Sequence, residues 1–125
     1  MILLTIDEIL MLHSKLIART GGSDGLRDRG LLESAVFSAV SSFDDQEVYP
    51  SIEEKAARLM YGLIANHAFI DGNKRIGVFV MLMTLQLNNV ALNYTQAELI
   101  SLGLSVADGS MKYQDILNWI QSHIQ

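Results

Sequence analysis

A chain of 125 residues is the size of one ordinary domain, and residues 1–125 read as a single unit with no linker, repeat or low-complexity tract. Half the residues are hydrophobic, but only four Phe, four Tyr and one Trp are present. The interior must therefore be mostly aliphatic, and the absence of cysteine excludes disulfides, thiolate metal sites and a cysteine nucleophile. A net charge of −5 argues against broad, non-specific binding of nucleic acid or an anionic membrane. The N-terminus carries no basic leader region, and the most apolar run, Ile76 to Leu87, is shorter than the roughly 18 residues a span needs, so a cytoplasmic protein is expected.

The first helix is expected from about Ile6 to Arg19, opened by the capping-box pair Thr5 and Glu8 and closed by the glycines after Thr20. His13 falls on its apolar face and reads as structural. Asp28 caps a second helix from Arg29 to about Ser41, with Arg27-Asp28 read as a surface ion pair and cap. The acidic stretch 43–50, closed by Pro50, reads equally well as a loop or as a small flap. Ser51 and Glu54 open a third helix, from about Ile52 to Asn66, and Ala68 to Gly72 interrupt it. The fourth, Asn73 to about Leu87, is apolar nearly all round and marks a central buried helix; Met60, Met81 and Met83 are core filler. Two more helices follow, near Gln96–Ala107, opened by Thr95 and Glu98, and near Tyr113–His123, where His123 reads as structural. No useful stretch alternates with period two, so the fold class is all-α: a compact bundle of about six helices.

The stretch His67-Ala68-Phe69-Ile70-Asp71-Gly72-Asn73-Lys74-Arg75 joins the third and fourth helices. The first N–H groups of a helix have no intrahelical partner, and its dipole places partial positive charge there. Gly72 lets a ligand's oxygens reach the backbone, while Lys74 and Arg75 add two cations where cations oppose the dipole. That combination is an anion trap suited to phosphate. His67 is the residue type best suited to take a proton from a hydroxyl near neutral pH, and Asp71 the type that holds Mg²⁺ beside phosphates. Base, metal ligand and phosphate cradle within nine residues make up the parts of phosphoryl or nucleotidyl transfer.

The same stretch resembles the signature of the Fic/Doc superfamily, His-x-Phe-x-(Asp/Glu)-(Gly/Ala)-Asn-(Gly/Lys)-Arg, and meets its seven specified positions. Gly21-Gly22, the run from Gly25 to Ala35, and Tyr49-Pro50 before Glu54-Lys55-Ala56-Ala57 resemble its death-on-curing (Doc) branch. The resemblance covers roughly residues 20–90; the last third is similar only in helical character. It implies a catalytic set of His67, Asp71 and Lys74: His67 as general base, Asp71 as ligand of the nucleotide's Mg²⁺, and Phe69 as anchor of the loop. It also implies phosphate binding by Gly72, Asn73, Lys74 and Arg75. AMP-transferring relatives have glycine where this chain has Lys74. In the Doc branch, lysine accompanies a reversed nucleotide whose γ-phosphate is transferred. The implied activity is thus a kinase using ATP on a Thr or Ser hydroxyl of a target of the elongation factor Tu type. The resemblance also implies a flap before the motif helix that positions the target peptide.

Two rivals stand beside that reading: AMP transfer to a protein hydroxyl, and a non-catalytic binding module, against which the intact His67 and Asp71 speak. The inhibitory helix pattern of many Fic relatives, (Ser/Thr)-x-x-x-Glu-(Gly/Asn), has no match in this chain. Inhibition is therefore expected in trans, from a small antitoxin whose C-terminal segment orders across the site on binding.

Overall fold

The structure, a computed structural model, describes all 125 residues. In chain order it comprises α1 (Ile6–Thr20), α2 (Arg29–Ser38), β1 (Ser42–Phe43), β2 (Gln46–Glu47), α3 (Ile52–Ala65), α4 (Asn73–Leu87), α5 (Gln96–Ala107) and α6 (Tyr113–His123). The all-α class and the six helices stand as expected. No helix is long and apolar enough to cross a membrane.

The helix starts follow from local chemistry. Thr5, Ser51 and Thr95 each accept from the third helical N–H, and Glu8, Glu54 and Glu98 reach back to the cap's own N–H. Asp28 accepts from Leu31 N–H at 3.0 Å and starts α2. That helix ends at Ser38, three residues before its expected end. Ser38 Oγ donates back to the Ser34 carbonyl and Ser41 Oγ to the Ser38 carbonyl, competing with further helical bonds, and Ser41 is drawn into the hairpin by Val48 N–H.

Segment 43–50 holds a small hairpin rather than an irregular loop. Ser42 pairs with Glu47 and Phe43 with Gln46, around Asp44 and Asp45, whose φ values of 51° and 62° are those of a tight I′-type hairpin turn. Lys55 of α3 anchors this hairpin: its buried Nζ donates to Glu47 Oε1 at 3.1 Å and to the Tyr49 carbonyl.

The core has two centres. One, with Ile9, Leu32, Leu59, Phe69, Ile76 and Val80, lies where α1 and α2 meet α3 and α4. The other, with Met60, Ile64, Met81, Leu85, Leu102 and Ile116, lies where α5 and α6 cover the same pair. The middle of the fold is therefore the hairpin of α3 and α4 rather than α4 alone. The α4 residues Lys74, Phe79 and Leu87 reach solvent, whereas small residues let α3 sink inward. A side chain on Gly62 would meet Ala35, and one on Gly77 would lie 2.6 Å from Ile64. This hairpin carries the site, since its seven-residue connection, 66–72, is the motif loop.

Candidate active site

The loop is held in place by elements far away in sequence. Residues 25–28 run antiparallel to it, with Arg27 and Asp28 N–H donating to the Ala68 carbonyl and Ile70 N–H to the Gly25 carbonyl. Arg27 makes no ion pair with Asp28. Its guanidinium instead caps the end of α3, donating to the His67 carbonyl at 2.8 Å and the Asn66 carbonyl at 3.2 Å. Consecutive side chains on an extended segment point opposite ways, which separates Arg27 from its neighbour.

His67 takes a left-handed backbone (φ 50°), uncommon for a residue with a side chain, and its ring is exposed to solvent. Phe69 then plunges into the core, where a ring of its size contributes about 1.5–3 kcal/mol. Asn73 belongs to the same anchor. Its side chain accepts from Phe69 N–H at 2.9 Å and donates to the Phe69 carbonyl at 3.0 Å, so what Asn73 can offer a phosphate is its backbone N–H.

Asp71 and Gly72 form the turn into α4. The Asp71 carboxylate accepts from Gly72 N–H at 2.7 Å and Ser23 N–H at 3.1 Å, and lies 3.4 Å from the Arg75 guanidinium. The Ser23 and Gly72 N–H bonds, helped by the lesser effect of the Arg75 charge, outweigh desolvation and hold its carboxyl below the ordinary carboxylate range, so it is ionised at neutral pH. Its side chain is 46 % exposed and each oxygen keeps lone-pair capacity. No further acid or histidine clusters with it to complete a metal cage. One hard carboxylate fits Mg²⁺, which is commonly held by one or two carboxylates together with substrate phosphates.

Gly72 is left-handed (φ 77°), and no side chain caps α4, unlike α1, α2, α3 and α5. The first carbonyl-bound amide of the helix is Ile76 N–H, which donates to Gly72; those of Asn73, Lys74 and Arg75 donate to no protein acceptor. Lys74 is exposed and its stem lies across Gly103 of α5. Arg75 turns toward the end of α1, donating to Thr20 Oγ1 at 2.6 Å and the Gly21 carbonyl at 2.7 Å.

Asp71, Gly72, Asn73, Lys74 and Arg75 thus stand at one helix start, with the Asn73 and Arg75 side chains engaged by the protein itself, and His67 lies exposed at the far end of the loop. The Thr20–Asp24 loop also belongs to the site. A side chain on Gly22 would lie 2.5 Å from Asp71 Oδ2 and 3.0 Å from Arg75, which is the physical content of the Gly21-Gly22 pair.

These features coincide with similarity to known proteins. The chain is 39 % identical over 72 residues to the Toxin Doc of Mycolicibacterium smegmatis, a match that covers 58 % of this chain and spans little more than half, 55 %, of that relative. It is 27 % identical over 115 residues to the Protein kinase doc of Escherichia phage P1, covering 92 % of this chain and 90 % of the relative. The profile of the Fic/DOC family matches residues 3–85, two thirds of the sequence and all but the last two residues of the helix–loop–helix just described, and the chain belongs to that family.

Proposed function

We propose that this protein is a Doc-type toxin that transfers the γ-phosphate of ATP to a Thr or Ser hydroxyl of a target of the elongation factor Tu type. Translation in the cytoplasm would be arrested, and a small antitoxin covering the site would restrain it. The observation that carries the reading is the start of α4. Three N–H groups without a protein acceptor stand there between an ionised carboxylate and the free Lys74 ammonium, with an exposed His67 at the other end of the loop. The names borne by the two relatives, a toxin and a protein kinase, agree with it.

In this mechanism the N–H groups of Asn73, Lys74 and Arg75 bind phosphate oxygens, and the Lys74 ammonium adds a full positive charge. Asp71 is the group that would hold Mg²⁺, and the ion would supply positive charge against the phosphates there. His67 accepts the proton of the target hydroxyl as that oxygen bonds to the γ-phosphorus. The bond from that phosphorus to the β–γ bridging oxygen breaks, and ADP leaves. Lys74 favours phosphate over AMP transfer, because AMP-transferring relatives have glycine at this position and a lysine adds bulk and a charge there.

Mass spectrometry of the target incubated with protein, ATP and Mg²⁺ tests the assignment directly. A phosphate adduct on a Thr or Ser is the expected product; an AMP adduct would transfer the protein to the nucleotidyltransferases, and no adduct would leave a binding module. Expression of the chain alone should stop growth, and co-expression of its antitoxin should restore it.

A further inference from the structure

His13 takes no part in these steps, yet it is the buried titratable group nearest to them. It sits on the inner face of α1, 1 % exposed, with its ring stacked on Phe69 at 3.8 Å and 16°. Its Nε2 lies 2.7 Å from the carbonyl oxygen of Asp71. A carbonyl only accepts, so Nε2 carries the hydrogen and donates. Nδ1 lies 3.5 Å from Asp24 Oδ1, which also accepts from Gly25 N–H at 2.8 Å and Ser14 Oγ at 3.1 Å. The imidazole is thus clamped from the α1–α2 connection on one side and holds the Asp71–Gly72 peptide on the other.

A buried histidine that finds partners is ordinarily no more than a satisfied core group. Here the carbonyl it grips belongs to the residue whose carboxylate faces the phosphate cradle, and the ring it stacks on is the anchor of the same loop. The orientation of the Asp71–Gly72 peptide decides where the Asp71 side chain leaves the backbone and where α4 begins. Gly72 leaves no slack: a side chain there would stand 3.4 Å from Nε2 and 2.9 Å from Ile17.

We propose that His13 is a positioning residue of the transfer site, acting through the Asp71 carbonyl and the Phe69 ring to place the Asp71 carboxylate and the first N–H groups of α4. This rests on the function proposed above. Its test uses His13→Phe, which keeps a ring on Phe69 and removes the donor, and His13→Gln, which returns an N–H donor without the ring. Two readouts are followed in the full-length protein. In the absence of nucleotide, the amide resonances of Ser23 and Gly72, both bonded to the Asp71 carboxylate, should shift in His13→Phe and move back toward wild type in His13→Gln. With Mg²⁺ and ATP, His13→Phe should raise KM for ATP about tenfold, the equivalent of roughly one charge-assisted hydrogen bond, and His13→Gln should recover most of it. A merely structural role would lower the folded fraction, and with it the apparent kcat, without moving KM. Unmoved Ser23 and Gly72 amides, or an unchanged KM in a folded His13→Phe protein, overturn the proposal. A wild-type protein that binds no ATP refutes the kinase reading instead, and the amide shifts still decide whether His13 places Asp71.

Discussion

Gly22→Ala, compared with Gly21→Ala, separates backbone strain from damage to the site. Both glycines have positive φ, 91° at Gly21 and 115° at Gly22, so alanine at either costs about 1–2 kcal/mol of backbone strain. For a chain of this size that is a fall in Tm of about 3–8 °C. Their surroundings differ completely. A methyl at position 21 meets nothing within 4 Å, whereas at position 22 it would stand 2.5 Å from Asp71 Oδ2. Ordinary contact would require a displacement of about 0.7–1 Å, taking the carboxylate away from Ser23 N–H, the bond that does most to keep it ionised. A misplacement of about 1 Å in a positioned group can cost on the order of 10²-fold in rate. Gly22→Ala should therefore lose about two orders of magnitude in kcat/KM for phosphate transfer, while Gly21→Ala stays within a few-fold of wild type. Thermal unfolding should show similar Tm losses for the two. Equal activities in folded Gly21→Ala and Gly22→Ala would refute the claim that the α1–α2 connection holds Asp71 in place.

His67→Ala should keep the wild-type Tm, since the ring is exposed and fills no core space, and should lower the transfer rate by roughly 10²–10⁴; transfer at the wild-type rate would remove His67 as the base. Lys74→Gly should weaken or abolish phosphate transfer and open the space used for AMP transfer, which intact-mass analysis of the target reads directly; full phosphorylation by the variant would remove Lys74 from the mechanism. A pH-dependent clasp joins α5 to α6, where His123 Nε2 donates to Glu98 Oε2 at 2.7 Å, and the hydrogen bond between them raises the His123 pKa and lowers that of Glu98 to about 2. The histidine's contribution is complete below its ordinary 6.5 and is lost as pH rises through the raised folded value; the carboxylate's is complete above its ordinary 4.5 and is lost as pH falls toward 2. The Tm advantage of wild type over His123→Gln should thus be widest between about pH 4.5 and 6.5 and shrink on both sides, and a difference independent of pH would refute the clasp.

Much of the fold was legible because its signals are local. The Thr5, Ser51 and Thr95 capping boxes act within four residues, and the bounds of α4, α5 and α6 match those read from periodicity. The place of the motif was legible for the same reason, since the loop and the start of α4 are contiguous in the chain. What escaped depends on partners distant in the chain. His13 could be read as buried, but the Asp71 carbonyl lies 58 residues away. Arg27 was paired with its sequence neighbour, whereas the fold brings it the open carbonyls at the end of α3, about 40 residues on. Lys55 gave no sign of burial, because its ammonium is satisfied by Glu47 and the Tyr49 carbonyl, which only the folded hairpin brings to it. Asn73 and Arg75 were read as phosphate ligands; their side chains are engaged by Phe69 and by the end of α1, which a linear motif cannot display.

On the proposed function, the bare start of α4 ties the stability of this protein to its substrate. The chain cannot cap the helix from within, because Gly72 is left-handed and a side chain there would collide with Ile17. Whatever anion binds the N–H groups of Asn73, Lys74 and Arg75 supplies the cap that Thr5, Ser51 and Thr95 supply elsewhere. By mass action, a ligand at a hundred times its dissociation constant stabilises the folded state by about 2.7 kcal/mol. The melting temperature should then rise with phosphate or nucleotide concentration before any chemistry occurs. A variant with this helix start blocked would lose that response. Heat thus becomes an assay for occupancy, one that needs no target protein.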